Sequence, residues 1–192
     1  MSVNVNQQSA VMHSLLQTST YDILLIQEPW LGSIQIAWSD TDPLGKEITG
    51  ATANPLWEHY LPTYMDHMAV RVAIYVKYDL ACTFSITNHV AHPLSSPESM
   101  VFDISFDDEV LCLVNIYHRV PDTPGHNLFH LLSSELDPLI PTLMVGDFNM
   151  HSHIWSFPYS TISPWATALV DWFDDQGLEL LNPPCVATWD SG

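Results

Sequence analysis

Basic residues are scarce in this chain of 192 residues. Four lysines and arginines (Lys46, Arg71, Lys77 and Arg119) stand against 22 aspartates and glutamates, a formal net charge of −18. Proteins that bind nucleic acid electrostatically neutralise phosphates with Lys and Arg, and this composition excludes such a surface as the main source of affinity. Even protonation of all ten histidines leaves the chain acidic. Either the charge serves solubility, or an anion that binds here is met by metal ions instead of basic side chains.

Long apolar runs are missing as well. Hydrophobic residues make up 47% of the sequence, yet no stretch approaches the roughly 20 residues that cross a bilayer. The N-terminus has neither the basic start nor the apolar segment of a signal peptide. Cys82, Cys112 and Cys185 form no CxxC pair, which disfavours a disulfide framework. The expectation is a soluble intracellular protein of nucleus or cytoplasm, without membrane attachment. Nothing in the sequence points to an obligate protein partner. The length suits one domain, expected over 1–192, and no repeat or linker divides it.

Strand-like and helix-like segments interleave. "SVNVN" alternates Val3 and Val5 with Asn4 and Asn6. Val11, Met12, Leu15 and Leu16 follow at helical spacing, with Ser9 as N-cap. "YDILLIQEPW" is a buried-strand run stopped by Pro29. From Trp30 to about Asp66 the pattern is irregular and is expected to be loop with one short helix. "HMAVRVAIYVKY" alternates, with Met68, Val70, Val72, Ile74 and Val76 on one face and Arg71, Tyr75 and Lys77 on the other. A further strand is expected near Ala81–Ile86, then a hairpin turning at Asp107–Asp108–Glu109. Thr123 and Pro124 open a helix with Leu128, Phe129, Leu132 and Leu136 inward. "TLMV" is the next strand. Ser163 and Pro164 open a last helix striped with Trp165, Leu169, Trp172 and Phe173 and capped at Gly177. "LELL" and "CVATW" complete the chain as short strands. Such interleaving with hairpins predicts a layered α/β domain with mixed sheets.

Four of these strands end in polar residues: Asn4 and Asn6, Gln27 and Glu28, Asn115 and Tyr117, Asp147 and Asn149. Strand ends and their loops are where layered α/β proteins present side chains into a cleft. Carboxylates beside carboxamides suit a hard cation such as Mg²⁺, which takes one or two protein carboxylates and fills its remaining positions with water and phosphate oxygens. Glu28 is the natural ligand. Asp147 can orient or deprotonate a water, with Asn149 donating to a phosphate oxygen or to Asp147 itself. Duller readings exist for each residue: "GDFN" fits a turn, Asn4 and Asn6 fit a solvent face, Tyr117 fits an ordinary strand aromatic. His151 and His153 without a third ligand make a weak zinc signal.

At these residues the sequence resembles the endonuclease/exonuclease/phosphatase superfamily. "NVN" resembles its first-strand Asn-x-Asn/Asp motif, "LLIQEPW" its Gln-Glu motif, "VNIY" its tyrosine strand, and "GDFN" its Asp-x-Asn segment, in the expected order along nearly the whole chain. The resemblance implies a deoxyribonuclease-I-like four-layer α-β-β-α sandwich of two mixed, mainly antiparallel sheets. It implies catalytic roles for Asn4, Tyr117, Asp147 and Asn149, and metal binding by Glu28 with Asn6 alongside. Asn115 and His151 fall to the substrate. Mg²⁺ is the implied cofactor, with Mn²⁺ as an alternative, and DNA is the implied substrate. Pro29 after the Gln-Glu pair, and His151 and Trp155 after "GDFN", look like the endonuclease domains of non-LTR retrotransposons, fungal copies especially. Those nick DNA and hand a 3′-hydroxyl to a reverse transcriptase.

The family pattern continues with a second catalytic Asp and a Ser-Asp-His segment, whereas this sequence stops at "ATWDSG", where Asp190 matches no catalytic position. The expectation is therefore a domain incomplete at its C-terminus and missing its last strands, a truncated or decayed copy. Each missing catalytic group would slow turnover by a factor of about 10² to 10⁴, and unpaired sheet edges would favour association. Two other functions compete with DNA nicking. One is a phosphatase or phosphodiesterase of the same fold acting on a small or lipid phosphate, favoured by the acidic charge. The other is a non-catalytic binding domain, marked by a cleft lacking any group able to activate water.

Overall fold

The computed structural model describes residues 1–39, 42–62, 69–81, 83–119, 132–156 and 161–182, with 33–49 as backbone alone. The chain divides into two compact units: Met1–Tyr117 with Ile140–Asp147, and His118–Leu139 with Phe148–Gly192.

In the first unit, β1 (Ser2–Asn4) runs parallel to β2 (Ile23–Gln27), which pairs antiparallel with β6 (Val72–Lys77) and through it with β5 (Trp57–Tyr60). A second sheet has the order β10 (Thr142–Asp147), β9 (Glu109–Tyr117), β8 (Ser99–Phe106), β7 (Ser85–Asn88), with β9 and β10 parallel. Period-two alternation divides the side chains between two cores. Leu25, Val72, Ile74 and Val76 of the first sheet pack against Met100, Phe102 and Leu113 of the second. From the opposite face of the first sheet, Leu24, Ile26, Ala73 and Tyr75 pack with Met12 and Leu16 of helix α1 (Ser9–Thr18). Trp57 fastens that layer, its buried indole N–H donating to the Leu16 carbonyl at 2.9 Å.

This arrangement corrects the two-faced reading of residues 68–77. Tyr75 is fully buried, because β6 is a central strand covered on both sides. Met68 lies outside the described residues.

Other expectations also change. The segment read as irregular contains β5 and a two-stranded antiparallel ribbon of β3 (Leu31–Ser39) and β4 (Asp42–Ala51). Register shifts interrupt the ribbon at Ser33/Gln35 and Ala37/Ser39, which breaks the alternation that would have revealed it. Near Ala81–Ile86 the chain forms a short helix α2 (Tyr78–Ala81) before β7 begins at Ser85. Ser9 is the first helical residue, with Gln8 at the N-cap position and no side-chain cap bond. The hairpin turn is two residues, since Phe106 pairs with Glu109; Asp107 supplies the positive φ of 52° that so tight a turn requires.

The second unit contains helix α3 (Ala166–Asp175), which buries Ala166, Leu169 and Trp172. Gly177, at φ 69°, closes it: its N–H donates to Asp174 O and that of Leu178 to Phe173 O. "LELL" is not a strand, and Leu180 and Leu181 are exposed. The helix expected over 121–136 is described only from Leu132, and the chain has left helical geometry by Ser134, where two serines and the coming Pro138 disfavour it. Residues 121–131, the strand expected at 185–189, Asp190, Cys82 and Cys185 lie outside the described residues. Among the described residues no helix is long and apolar enough to cross a membrane.

Candidate functional site

The alternation that builds the inter-sheet core also builds a polar rim. Leu143 and Val145 of β10 pack on that core, and two residues on, the same face delivers Asp147. In β9, Leu113, Asn115 and Tyr117 share a face. In β2 that face carries Leu25 and then Gln27. The parallel pairs β1–β2 and β9–β10 therefore end at a common edge, each bringing its polar terminus.

Asn4 joins them. Its Nδ2 donates to Asp147 Oδ2 at 2.8 Å and to Glu28 Oε2 at 3.3 Å, so one amide touches carboxylates from both sheets. Its own oxygen accepts the Asn6 backbone N–H at 2.8 Å, which fixes which way the amide points. Glu28 sits at φ 48°, a left-handed conformation costly for a side chain of this kind. Its backbone is held on both sides, the N–H by Arg71 O at 2.7 Å and the carbonyl by Gln7 N–H at 2.8 Å. Strain sustained in this way aims the carboxylate off the end of the strand, and Pro29 prevents the ladder from continuing.

Sequence reasoning missed Arg71 as a site residue and placed it on a polar strand face. Its guanidinium Nη1 donates to Glu28 Oε1 at 3.0 Å and its Cζ lies 5.9 Å from the centre of the Tyr117 ring. The peptide at Pro97–Glu98 seats both neighbours, accepting from Arg71 N at 2.6 Å and Tyr117 N at 2.8 Å. One signal was available: an arginine directly ahead of a strand buried on both faces has no solvent side to occupy and needs a carboxylate.

Tyr117 is half-buried. Burial first, then the facing Glu28 carboxylate, raise its hydroxyl above the ordinary tyrosine range; Arg71 opposes them, and Asp147 adds to the rise. The phenol is thus kept as a neutral donor.

Beneath the rim, Asn115 is fully buried. Its Nδ2 donates to the carbonyls of Ile26 and Ala73, both at 3.1 Å, and its Oδ1 accepts from Gln27 Nε2. The expected substrate contact has no open face to use: Asn115 is a crosslink between the sheets. Asn6 is exposed, and among the described residues its side chain takes no hydrogen bond from the cluster. Asn149 and His151 belong to the second unit. There Asn149 Nδ2 donates to His118 O at 2.9 Å, and the exposed His151 has Nδ1 3.3 Å from Ser156 Oγ.

Gly146 explains the first letter of "GDFN". A Cβ there would stand 2.0 Å from the Ile116 carbonyl oxygen, its register partner on β9. Only glycine lets β10 lie that close just before Asp147.

Among the described residues no three His, Cys, Asp or Glu side chains cluster to cage a metal. Two carboxylates and a carboxamide are nevertheless the hard-oxygen donors that Mg²⁺ accepts when water and phosphate complete its shell, so the residues fit such an ion. Glu28 and Asp147 would hold it.

These motifs belong to a known family. The sequence matches the endonuclease/exonuclease/phosphatase family over residues 1–191, and the chain is a member of it. Members generally use divalent metals. Fifteen chains of known structure match. With the endonuclease domain of TRAS1, a telomere-specific non-LTR retrotransposon, the TM-score is 0.70 at 20% identity, covering 99% of this chain and 75% of that one. That likeness fixes the fold as the deoxyribonuclease-I-like α/β sandwich expected from the sequence. The inositol polyphosphate 5-phosphatase domain of SPsynaptojanin, solved with inositol (1,4)-bisphosphate and calcium ion, gives a TM-score of 0.37 at 14% identity over 90% of this chain and 58% of its own. No curated protein matches.

Proposed function

We propose that this chain is a Mg²⁺-dependent phosphodiesterase that nicks DNA, a retrotransposon-type endonuclease domain. The observation that carries the proposal is the Asn4 amide bridging Glu28 and Asp147, with Tyr117 turned toward the same carboxylate. Glu28 would hold the metal, which when bound would screen the charge that develops on the phosphate. Asp147, held by Asn4, orients the attacking water and takes its proton as the water oxygen bonds to phosphorus. The bond from phosphorus to the 3′ oxygen breaks, and solvent water protonates that departing oxygen. The neutral phenol of Tyr117 donates to a non-bridging oxygen. Asn149, whose amide donates to the His118 carbonyl, is assigned to a phosphate oxygen on the strength of the "GDFN" match to the family. For His151 and Asn6, the family resemblance alone supports roles toward the substrate and the metal. Mn²⁺ substitutes for Mg²⁺ in this chemistry.

The test is nicking of supercoiled plasmid in Mg²⁺ by this chain, Glu28→Ala and Asp147→Ala. Loss in both variants supports the proposal; equal nicking by all three refutes it. The net charge of −18 favours a second reading, in which the same groups hydrolyse a small phosphate that is repelled less than a DNA duplex. Turnover of a soluble phosphate ester by a chain unable to nick plasmid would decide for that reading.

A further inference from the structure

We propose that Arg71 sets the order in which this site fills: a divalent cation binds weakly alone and firmly only together with a phosphodiester anion. The inference rests on the metal-dependent reading above and adds a rule for how metal and substrate depend on each other.

The geometry starts at Glu28. One carboxylate oxygen is engaged by the Arg71 guanidinium at 3.0 Å and the other faces Asn4, so a cation taken up by Glu28 arrives beside a fixed positive charge. The side chains of Arg71 and Glu28 are only 19% and 15% exposed, so water screens this repulsion poorly. Arg71 is also hard to move. Its backbone is bonded through both N–H and carbonyl, and its guanidinium lies against the Tyr117 ring.

The charges then dictate the order. Glu28, Asp147 and Arg71 together carry one net negative charge. A divalent cation overshoots to a net positive, and a phosphodiester restores neutrality. Without Arg71 the two carboxylates balance the cation by themselves, and an arriving anion is left uncompensated. Arg71 Nε is also buried without a hydrogen-bond partner among the described residues. A salt bridge kept for stability alone would be expected to satisfy that donor.

The same device answers the chain's acidity. Lys77 is engaged elsewhere, by Asp22 and over the Trp57 ring, so it brings no charge to this rim. An acidic protein that recognises a phosphate gains from a cation at the rim of its site, and Arg71 supplies one beside Glu28 and Tyr117.

The experiment measures Mn²⁺ binding by electron paramagnetic resonance on the whole chain, with and without dimethyl phosphate, an inert phosphodiester anion. Arg71→Met and Arg71→Gln are expected to bind Mn²⁺ alone about tenfold tighter or more, while Arg71→Lys stays near wild type because it keeps the charge. Dimethyl phosphate is expected to tighten Mn²⁺ several-fold, about the scale of one partly screened charge, in the wild-type chain and not in the neutral variants. Equal Mn²⁺ affinity in wild type and the neutral variants overturns the inference. So does a wild-type chain indifferent to dimethyl phosphate, a result that needs no variant to fold. If Glu28→Ala retains full Mn²⁺ binding, the metal sits elsewhere and both proposals fall. A chain with the arginine effect that never nicks DNA refutes the hydrolysis and leaves the filling order standing.

Discussion

Asn4 and Asp147 lie 143 positions apart in sequence and 2.8 Å apart in space, amide nitrogen to carboxylate oxygen. The contact joins the short first strand to the last strand of the second sheet, and the same amide reaches Glu28. An Asn4→Asp substitution keeps the size and sets a third carboxylate against two others. It should abolish nicking and loosen the N-terminal strand; retention of half the wild-type rate would contradict the bridging role.

Glu28 separates strain from chemistry. Its left-handed backbone costs about 1 kcal/mol, which glycine would not incur. Glu28→Gly relieves that strain but leaves the part-buried Arg71 guanidinium without its carboxylate, so it should unfold about 1 to 3 kcal/mol below wild type in urea while losing all nicking. A loss several times larger would show that the carboxylate is a main pillar of the fold instead.

Gly146→Ala tests the close approach of β9 and β10. A methyl group 2.0 Å from the Ile116 carbonyl must push the strands apart. Destabilisation of about 1 to 3 kcal/mol is expected, with Asp147 displaced and nicking lost. Wild-type stability would mean the strands yield freely.

Asn115→Ala removes a buried crosslink and leaves Gln27 and two carbonyls without their partner. A loss of about 3 kcal/mol in denaturant unfolding is expected. A loss below about 0.5 kcal/mol would place the sheet-to-sheet tie elsewhere.

The pH dependence at Tyr117 has a definite sign. Its phenol titrates above the ordinary value because burial, then Glu28, disfavour the phenolate. The folded state thus prefers the protonated form. That contribution is whole below the unfolded pKa and disappears as pH rises through the folded one. Ultraviolet titration of wild type against Tyr117→Phe should show the extra phenol ionising above pH 10 or so, and ionisation at or below that value would be contrary.

Much of this could be read from residues alone, and the limits have physical causes. β2, β6, the β8–β9 hairpin and β10 announce themselves through apolar runs bounded by turn chemistry, and Gly177 marks the end of its helix. The polar residues at strand ends were visible as a pattern, and period-two geometry brings Asn4, Tyr117 and Asp147 to one edge, whereas Glu28 reaches it through a left-handed backbone that the sequence does not show. The β3–β4 ribbon was illegible because its register slips, which interrupts the alternation a strand pair would show. Asn115 was misjudged because an asparagine that crosslinks a core and one that faces a ligand look identical in one dimension; the Ile26 and Ala73 carbonyls decide. Arg71 escaped because its partner Glu28 is 43 positions distant.

A double-mutant cycle on single-turnover plasmid nicking examines the shared site itself, with Asn4→Ala, Asp147→Ala and the pair. If the amide acts by holding the carboxylate, the pair is no slower than Asp147→Ala alone, because Asn4 has nothing left to hold. Losses that multiply in full would mean that Asn4 and Asp147 work independently, and a single site assembled from both sheets would be wrong.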